Sequence, residues 1–407
     1  MIQKPLEGIK VIDFSTYVAA PACGRLLRDM GARVIKIEAA KGDAWRTYGS
    51  SHHVVAEEDE NPFFDLVNAG KESIVLNLKD KKGKDILFKL LKDADIFLTN
   101  TRPKSLKKLG LDYDSLKPIF PKLIYASITG FGEVGPEVDS PGFDIVAFWG
   151  KSGFLNDLAV NTGTNYPTLA PIAVGDLICA SSLFGGVCTA LYARERSGHG
   201  DYVTVSLFGN AIWAMGCMYI RAQERYGDTF PKTRLEGSPL ESPYLCKDGQ
   251  WVLLSILEYE RYFPTLCKAM GFDSLASDPR FKTKFTAEEN KEILFELLEK
   301  RFREEDSAYW LKVLKENDLV NDRLNHFKDV VHSEQAWVNN FLTKAKFPNG
   351  NECVMPCPPI RLKSVGAAGY KRGPFLGENT ADVLKEIGLN EEEIESLEKE
   401  NVIKRHK

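Results

Sequence analysis

Between residues 9 and 205, short runs rich in β-branched residues alternate with amphipathic stretches, and this alternation leaves few folds open to the chain. The runs at 9–14, 32–37, 73–78, 96–100 and 123–128 draw on Val, Ile, Leu, Phe and Tyr over the length of a buried strand. Between them, 21–30, 81–91 and 104–109 read as helices, and Gly31 closes the first of them. Repeated strand–helix–strand units predict an α/β fold, an open Rossmann-like parallel sheet with crossover helices on its faces. Ligands bind such sheets beyond the carboxyl ends of the strands, so the loops at 15–20, 38–43 and 99–103 are where chemistry is expected.

A chain of 407 residues exceeds one small core. The expected division is a large α/β catalytic domain beginning with 1–205, a linker at 206–225, a small α+β domain at 226–330, and a linker with return to the large domain at 331–407. The small domain is predicted to hold a strand at 250–256 and helices at 288–302 and 307–315. Helices at 380–387 and 391–400 precede a terminal Lys404-Arg405-His406-Lys407 that reads as a solvated tail. Two uncharged runs, 177–193 and 202–220, are broken by Gly185-Gly186 and by Asn210; both read as core, because a membrane span needs about 20 continuous apolar residues.

The net charge of −4 excludes general nucleic-acid affinity, which needs a basic excess. The first residues, Met1-Ile2-Gln3-Lys4-Pro5, carry no apolar export signal, and the eight cysteines form no C-x-x-C pair. A reducing, cytoplasmic setting with free thiols and no membrane partner is therefore expected. The six histidines lack ligand spacing, so no metal site is predicted. After the first strand stands Ser15-Thr16-Tyr17-Val18-Ala19-Ala20-Pro21 in place of G-x-G-x-x-G, which removes the phosphate turn of a dinucleotide oxidoreductase.

Three local features invite a chemical reading beside a structural one. Asp176 follows Gly175 and precedes a long apolar run, the position of a helix N-cap. Asp144, in Ser140-Pro141-Gly142-Phe143-Asp144, reads as a turn or cap residue. Arg102, Lys104, Lys107 and Lys108 surround a strand-to-helix turn suited to phosphate, or to a solvated basic face.

The ordered motifs resemble those of class III coenzyme A transferases, the formyl-CoA and carnitine CoA-transferase family. They run from Pro5-Leu6-Glu7-Gly8-Ile9-Lys10-Val11-Ile12-Asp13-Phe14, through Gly31-Ala32-Arg33-Val34-Ile35-Lys36-Ile37-Glu38 and Gly42-Asp43, to Ile74-Val75-Leu76-Asn77-Leu78-Lys79. Pro141-Gly142-Phe143-Asp144, Gly175-Asp176, Ser197-Gly198-His199-Gly200-Asp201 and Leu376-Gly377-Glu378-Asn379-Thr380 follow in order. The resemblance implies that Asp176 attacks an acyl-CoA thioester to give an aspartyl mixed anhydride, with Asp144 and Gly175 in support. A helix start there would keep Asp176 ionised and offer N–H groups to an oxyanion. It also implies CoA contacts at Val18, Ala19, Lys79, Asn100, Arg102, Lys108 and Leu109, no resident cofactor, and an interlocked homodimer. Coenzyme A thioester and a small carboxylic acid are the expected partners.

Within the family, Tyr17-Val18-Ala19-Ala20-Pro21-Ala22-Cys23-Gly24-Arg25, Asp65-Leu66-Val67-Asn68-Ala69-Gly70-Lys71 and Gln335-Ala336-Trp337 look most like clostridial 2-hydroxyacid CoA-transferases of amino-acid fermentation. The implied reaction moves CoA between an acyl- or 2-enoyl-CoA and an (R)-2-hydroxy acid of the 2-hydroxyisocaproate kind. Phenyllactate, carnitine or a short dicarboxylate are the alternative acids, and a non-catalytic CoA-binding protein the alternative class. Tyr17, Phe148 and Trp149 are expected to line an apolar acyl pocket. Two departures stand out. Ala39 replaces a family Arg, leaving Lys36 or Lys41 as substitutes, and 235–243 contains a single Gly237 where formyl-CoA transferases close a Gly-rich loop. Phe143 occupies the position of the histidine in related α-methylacyl-CoA racemases, and phenylalanine cannot carry a proton.

Overall fold

The computed structural model describes residues 4–157, 169–230, 233–366 and 369–406. It divides into two compact units, Met1–Asp228 with Glu334–Lys407, and Thr229–Ser333.

In the first unit β1 (Lys10–Phe14), β2 (Arg33–Glu38), β3 (Glu72–Leu76), β4 (Ile96–Thr99), β5 (Ile124–Thr129) and β6 (Tyr202–Ser206) lie parallel. Their near-continuous apolar sequences suit burial on both faces. Val11, Val34, Leu98 and Ala126 pack to one face, with α1 (Ala19–Asp29), α2 (Trp45–Tyr48), α3 (Pro62–Asn68) and the long helix Val174–Ser197. Ile12, Ile35, Phe97 and Tyr125 pack to the other, with α4 (Lys81–Lys92) and the helices Thr380–Glu386 and Glu391–Lys399. In α4, Asp80 caps the start through the Lys82 N–H; in α5 (Pro103–Leu109), Pro103 opens the helix and left-handed Gly110 closes it.

The Thr229–Ser333 unit has its own three-stranded antiparallel sheet, β7 (Pro243–Leu245), β8 (Trp251–Leu254) and β9 (Asn321–Arg323), in the order β7-β8-β9. Its core centres on Trp310, with the Tyr244 and Phe302 rings stacked 4.9 Å apart. The helix expected at 288–302 is two helices, Lys284–Glu289 and Lys291–Phe302. Asn290 leaves helical geometry between them and donates its side chain back to the Thr286 carbonyl.

The chain then returns to the first unit through the hairpin β10 (Leu342–Lys346) and β11 (Glu352–Pro356), and ends on β12 (Ile403–Lys404). The large sheet has the order β12-β3-β2-β1-β4-β5-β6, with β12 antiparallel to β3. The expected solvated tail is thus a sheet edge. Val402 and Ile403 are buried, Arg405 pairs with Glu391 and Glu398, and His406 stacks on Phe375 and bonds Glu58 at 2.7 Å. Lys407 lies outside the described residues.

Residues 206–225, expected as a linker, carry the helices Leu207–Ala214 and Gly216–Arg221 within the sheet-bearing unit; the Ser206 hydroxyl caps the first by accepting the Gly209 N–H. The run at 177–193 lies in the long helix. Cys179, Ala180, Leu183, Val187 and Leu191 are buried, but Leu177, Ile178 and Tyr192 are exposed, so core describes one face only. Among the described residues this helix alone is long and apolar enough to cross a membrane.

Candidate active site

At the carboxyl edge of the sheet a cavity of about 430 Å³ opens among the loops that follow β1, β4 and β5 and the start of the helix after β6. Its wall includes Thr16, Tyr17, Val18 and Ala19 after β1, Asn100, Thr101 and Arg102 after β4, and Asp176 from the long helix. The size suits a small-molecule site. Asn100 holds the β1 loop, accepting the Thr16 N–H at 3.0 Å and donating to the Thr16 carbonyl at 2.7 Å. The next residue, Tyr17, has φ +61°, the left-handed region that a side chain with Cβ enters only at a cost. Its ring meets Phe143 edge-on at 5.2 Å, and both residues line the cavity.

The long helix starts abruptly. Its N-cap is Ala173, itself left-handed at φ +63° with no side-chain cap, so Asp176 stands in the first helical turn and is not the N-cap its sequence position suggests. Burial, and then the Asp144 carboxylate, push the half-buried Asp176 carboxyl up to about 7. The expected bias toward ionisation at the helix start is therefore outweighed. Removal from water and a like charge both disfavour the anion.

Asp144, 5 % exposed, precedes a π-helical segment at Ile145–Gly150. Burial pushes its carboxyl up to about 6. The Trp149 indole and the backbone N–H groups of Gly175, Ala173 and Asp176 pull the other way, although neither oxygen has a partner at hydrogen-bond geometry. Gly175 is what allows this approach: a Cβ there would fall 2.2 Å from an Asp144 oxygen and 2.3 Å from the Phe148 ring. Cys179, one turn on, is pushed up by burial and then by Asp176 and Asp144, so it remains a thiol.

The cavity gathers Tyr17, Val18, Ala19, Asn100, Arg102 and Asp176, with Asp144 and Gly175 directly behind. Lys108 is exposed on α5 and outside the wall, Leu109 packs against the core, and Lys79 is exposed beyond β3. Phe148 and Trp149 do not line the cavity. The π-helical turn sends Phe148 into the core under Gly175, and Trp149 packs on Phe154. Lys36 cannot stand in for an arginine at Ala39, because it is wholly buried against Asp43 and the Ser15 carbonyl; Lys41 is exposed. Phe143 and Thr16 are wall residues that no periodicity marks. Among the described residues no group of three or more His, Cys, Asp or Glu side chains is placed to hold a metal.

The sequence model of CoA-transferase family III matches residues 6–380. The chain is 37% identical over 400 residues to an (R)-2-hydroxy-4-methylpentanoate CoA-transferase of Clostridioides difficile, covering 98% of this chain and 99% of that protein. It is 38% identical over 400 residues to a cinnamoyl-CoA:phenyllactate CoA-transferase of Clostridium sporogenes, covering 98% and 97%. Among solved structures it is similar to an aspartate-to-alanine mutant of Rv3272 from Mycobacterium tuberculosis, with a TM-score of 0.82, 27% identity and coverage of 94% of this chain and 99% of the other. A CAIB/BAIF family protein from Brucella suis superposes with a TM-score of 0.77 at 28% identity, covering 95% and 100%.

Proposed function

The chain belongs to CoA-transferase family III, and from that premise we propose that it moves coenzyme A between an acyl- or 2-enoyl-CoA and an (R)-2-hydroxy acid, with Asp176 as nucleophile. The observation that carries this reading is the placement of the Asp176 carboxylate in the cavity wall, facing a loop set that spans the carboxyl ends of β1, β4 and β5. An Asp176 oxygen attacks the thioester carbonyl, the C–S bond breaks, and CoA leaves as thiolate from an aspartyl–acyl anhydride. The anhydride stays activated, so the incoming carboxylate attacks its aspartyl carbonyl and the donor acid leaves as its carboxylate; the retained CoA thiolate then attacks the new acyl carbonyl, forming the product thioester and returning Asp176 as a free carboxylate. Arg102 in the wall gives the nucleotide end of CoA a cation, and first-turn N–H groups of the long helix suit the oxyanion formed at the thioester.

Attack requires the anion, so the raised Asp176 carboxyl makes the enzyme most competent above neutral pH. The relatives point to 2-hydroxy acids with a branched or aryl side chain, and the apolar Tyr17–Phe143 wall suits either. The reading includes a cytoplasmic homodimer. Tyr192, Ile178 and Leu177 on the long helix, with Trp213 at 86 % exposure, offer apolar surface for a second copy to bury.

Trapping tests the mechanism. The protein is incubated with an acyl-CoA and hydroxylamine, and peptides are read by mass spectrometry. A hydroxamate at Asp176, together with loss of exchange in Asp176→Ala, is expected; an unmodified Asp176 or an active variant rules out the covalent route. As acceptors, (R)-2-hydroxy-4-methylpentanoate and phenyllactate should outpace formate and carnitine, and equal rates would remove the 2-hydroxy acid assignment.

A further inference from the structure

Beneath the β1 loop lies a set of charged side chains that the acyl-transfer reading does not use. Asp13, Lys36, Glu38, Asp43 and Lys71 are all buried, with Arg46 at the edge of the group. Lys36 pairs with Asp43 at 2.9 Å, Lys71 with Asp13 at 2.7 Å, and Arg46 with Glu38 at 2.7 Å, so the cluster is electrically balanced. Burial alone would discharge Lys36, but Asp43, Asp13 and Glu38 hold it protonated.

Three consecutive residues of the loop are gripped from side chains. The Ser15 carbonyl accepts from Lys36 Nζ at 2.7 Å, Asn100 takes both polar groups of Thr16, and Asp43 Oδ1 accepts the Tyr17 N–H at 3.0 Å. The same Asp43 oxygen accepts the Trp45 N–H at 3.0 Å, and the Asp43 N–H donates to Glu38 at 2.9 Å, which ties the carboxylate to the end of β2. Asp43 thus divides its two oxygens, one for backbone N–H groups and one for an ammonium ion that water does not reach. The gripped segment ends on the left-handed Tyr17, whose ring stands edge-on to Phe143 in the cavity wall. A residue in that region reverts to ordinary backbone angles unless its surroundings over-determine it.

We propose that Asp43, through the oxygen that accepts the Tyr17 N–H, is a positioning residue that locks Tyr17 in its left-handed conformation, so that the Tyr17–Phe143 edge sets which acyl groups reach Asp176. The selectivity half of this inference rests on the transferase reading above; the positioning half does not.

The test uses two double variants in the full chain, K36M/D43N and K36M/D43A. Each removes both partners of the ion pair, which avoids stranding a buried charge and leaves Asp13, Glu38, Lys71 and Arg46 balanced. They differ in whether position 43 keeps an acceptor for the Tyr17 N–H. Amide hydrogen exchange at Tyr17 should stay slow in K36M/D43N and become at least tenfold faster in K36M/D43A, while Thr16, held by Asn100, stays slow in both. In parallel, kcat/KM for a branched-chain acyl-CoA relative to acetyl-CoA should keep its wild-type ratio in the Asn variant and shift at least tenfold in the Ala variant. Tyr17→Ala should give the same shift, with no further change when it is combined with K36M/D43A. Equal exchange in the two double variants overturns the positioning role, and a uniform loss on both acyl-CoAs overturns the selectivity role. A wild-type enzyme that turns over no acyl-CoA sinks the transferase reading, while the exchange rates still decide whether Asp43 holds Tyr17.

Discussion

The carboxyls of Asp176 and Asp144 titrate at about 7 and about 6, so midway between those values they hold close to one proton between them. The rate of acyl exchange should therefore rise with pH through about 7. In Asp144→Asn the repelling charge is gone, and the rising limb should move down by about 1 pH unit. A fall in rate without movement of the limb, in kcat/KM profiles of the two enzymes, would refute this coupling. The same substitution acts on stability. Both groups bind protons more tightly folded than unfolded, where the ordinary value is 3.8, so their favourable contribution is complete below about pH 4 and lost as pH rises through 6 to 7. Asp144→Asn should then be more stable than the parent at pH 8, by on the order of 2 kcal/mol, and little different at pH 4 by urea titration. Gly175→Ala should fail differently. Its Cβ collides with Asp144 and Phe148, costing about 1–3 kcal/mol by overpacking, and urea unfolding at pH 5 should show the loss even with both carboxyls protonated.

The elements divide by what their local sequence carries. Strands β1 to β5 were legible because a parallel strand buried on both faces announces itself as an apolar run, and α4 because its buried Ile86, Leu87, Leu90 and Leu91 recur at helical spacing. β12 was not: two residues have no period, and only pairing with β3, more than 300 positions away in the chain, makes Ile403–Lys404 a strand. The π-helical Ile145–Gly150 was equally hidden, and with it the inward direction of Phe148. Asp176 could be singled out, but its protonation could not, because that depends on Asp144 arriving from another loop. The edge strand makes a prediction of its own. Ile403→Asp would bury a charge beside Leu76, and should cost about 3 kcal/mol or more and remove hydrogen-exchange protection from Asn77, whose N–H donates to the Val402 carbonyl at 2.8 Å. Unchanged protection there would mean that β12 contributes nothing to the edge.

At the scale of the whole molecule, the family and the parallel sheet came from ordered motifs, whereas oligomeric state has no signature in residue spacing. The exposed apolar residues on the long helix and at Trp213 put it to the test. Sedimentation equilibrium at micromolar concentration should report twice the 45.6 kDa chain mass; a monomer would remove the dimer from the proposed function. One feature of the architecture reaches back to how the protein is made. The Thr229–Ser333 unit is self-contained, but the large sheet takes six strands from before it in sequence and one from after. During synthesis the nascent chain therefore presents the bare outer edge of β3 throughout elongation of the middle unit, and that edge is covered only when Asn379 and Thr380, which bond the Ser73 and Val75 backbone, and then 403–404 have been made. A pause or truncation before residue 403 should expose this edge to other chains, so recovery of folded protein depends on keeping nascent copies apart.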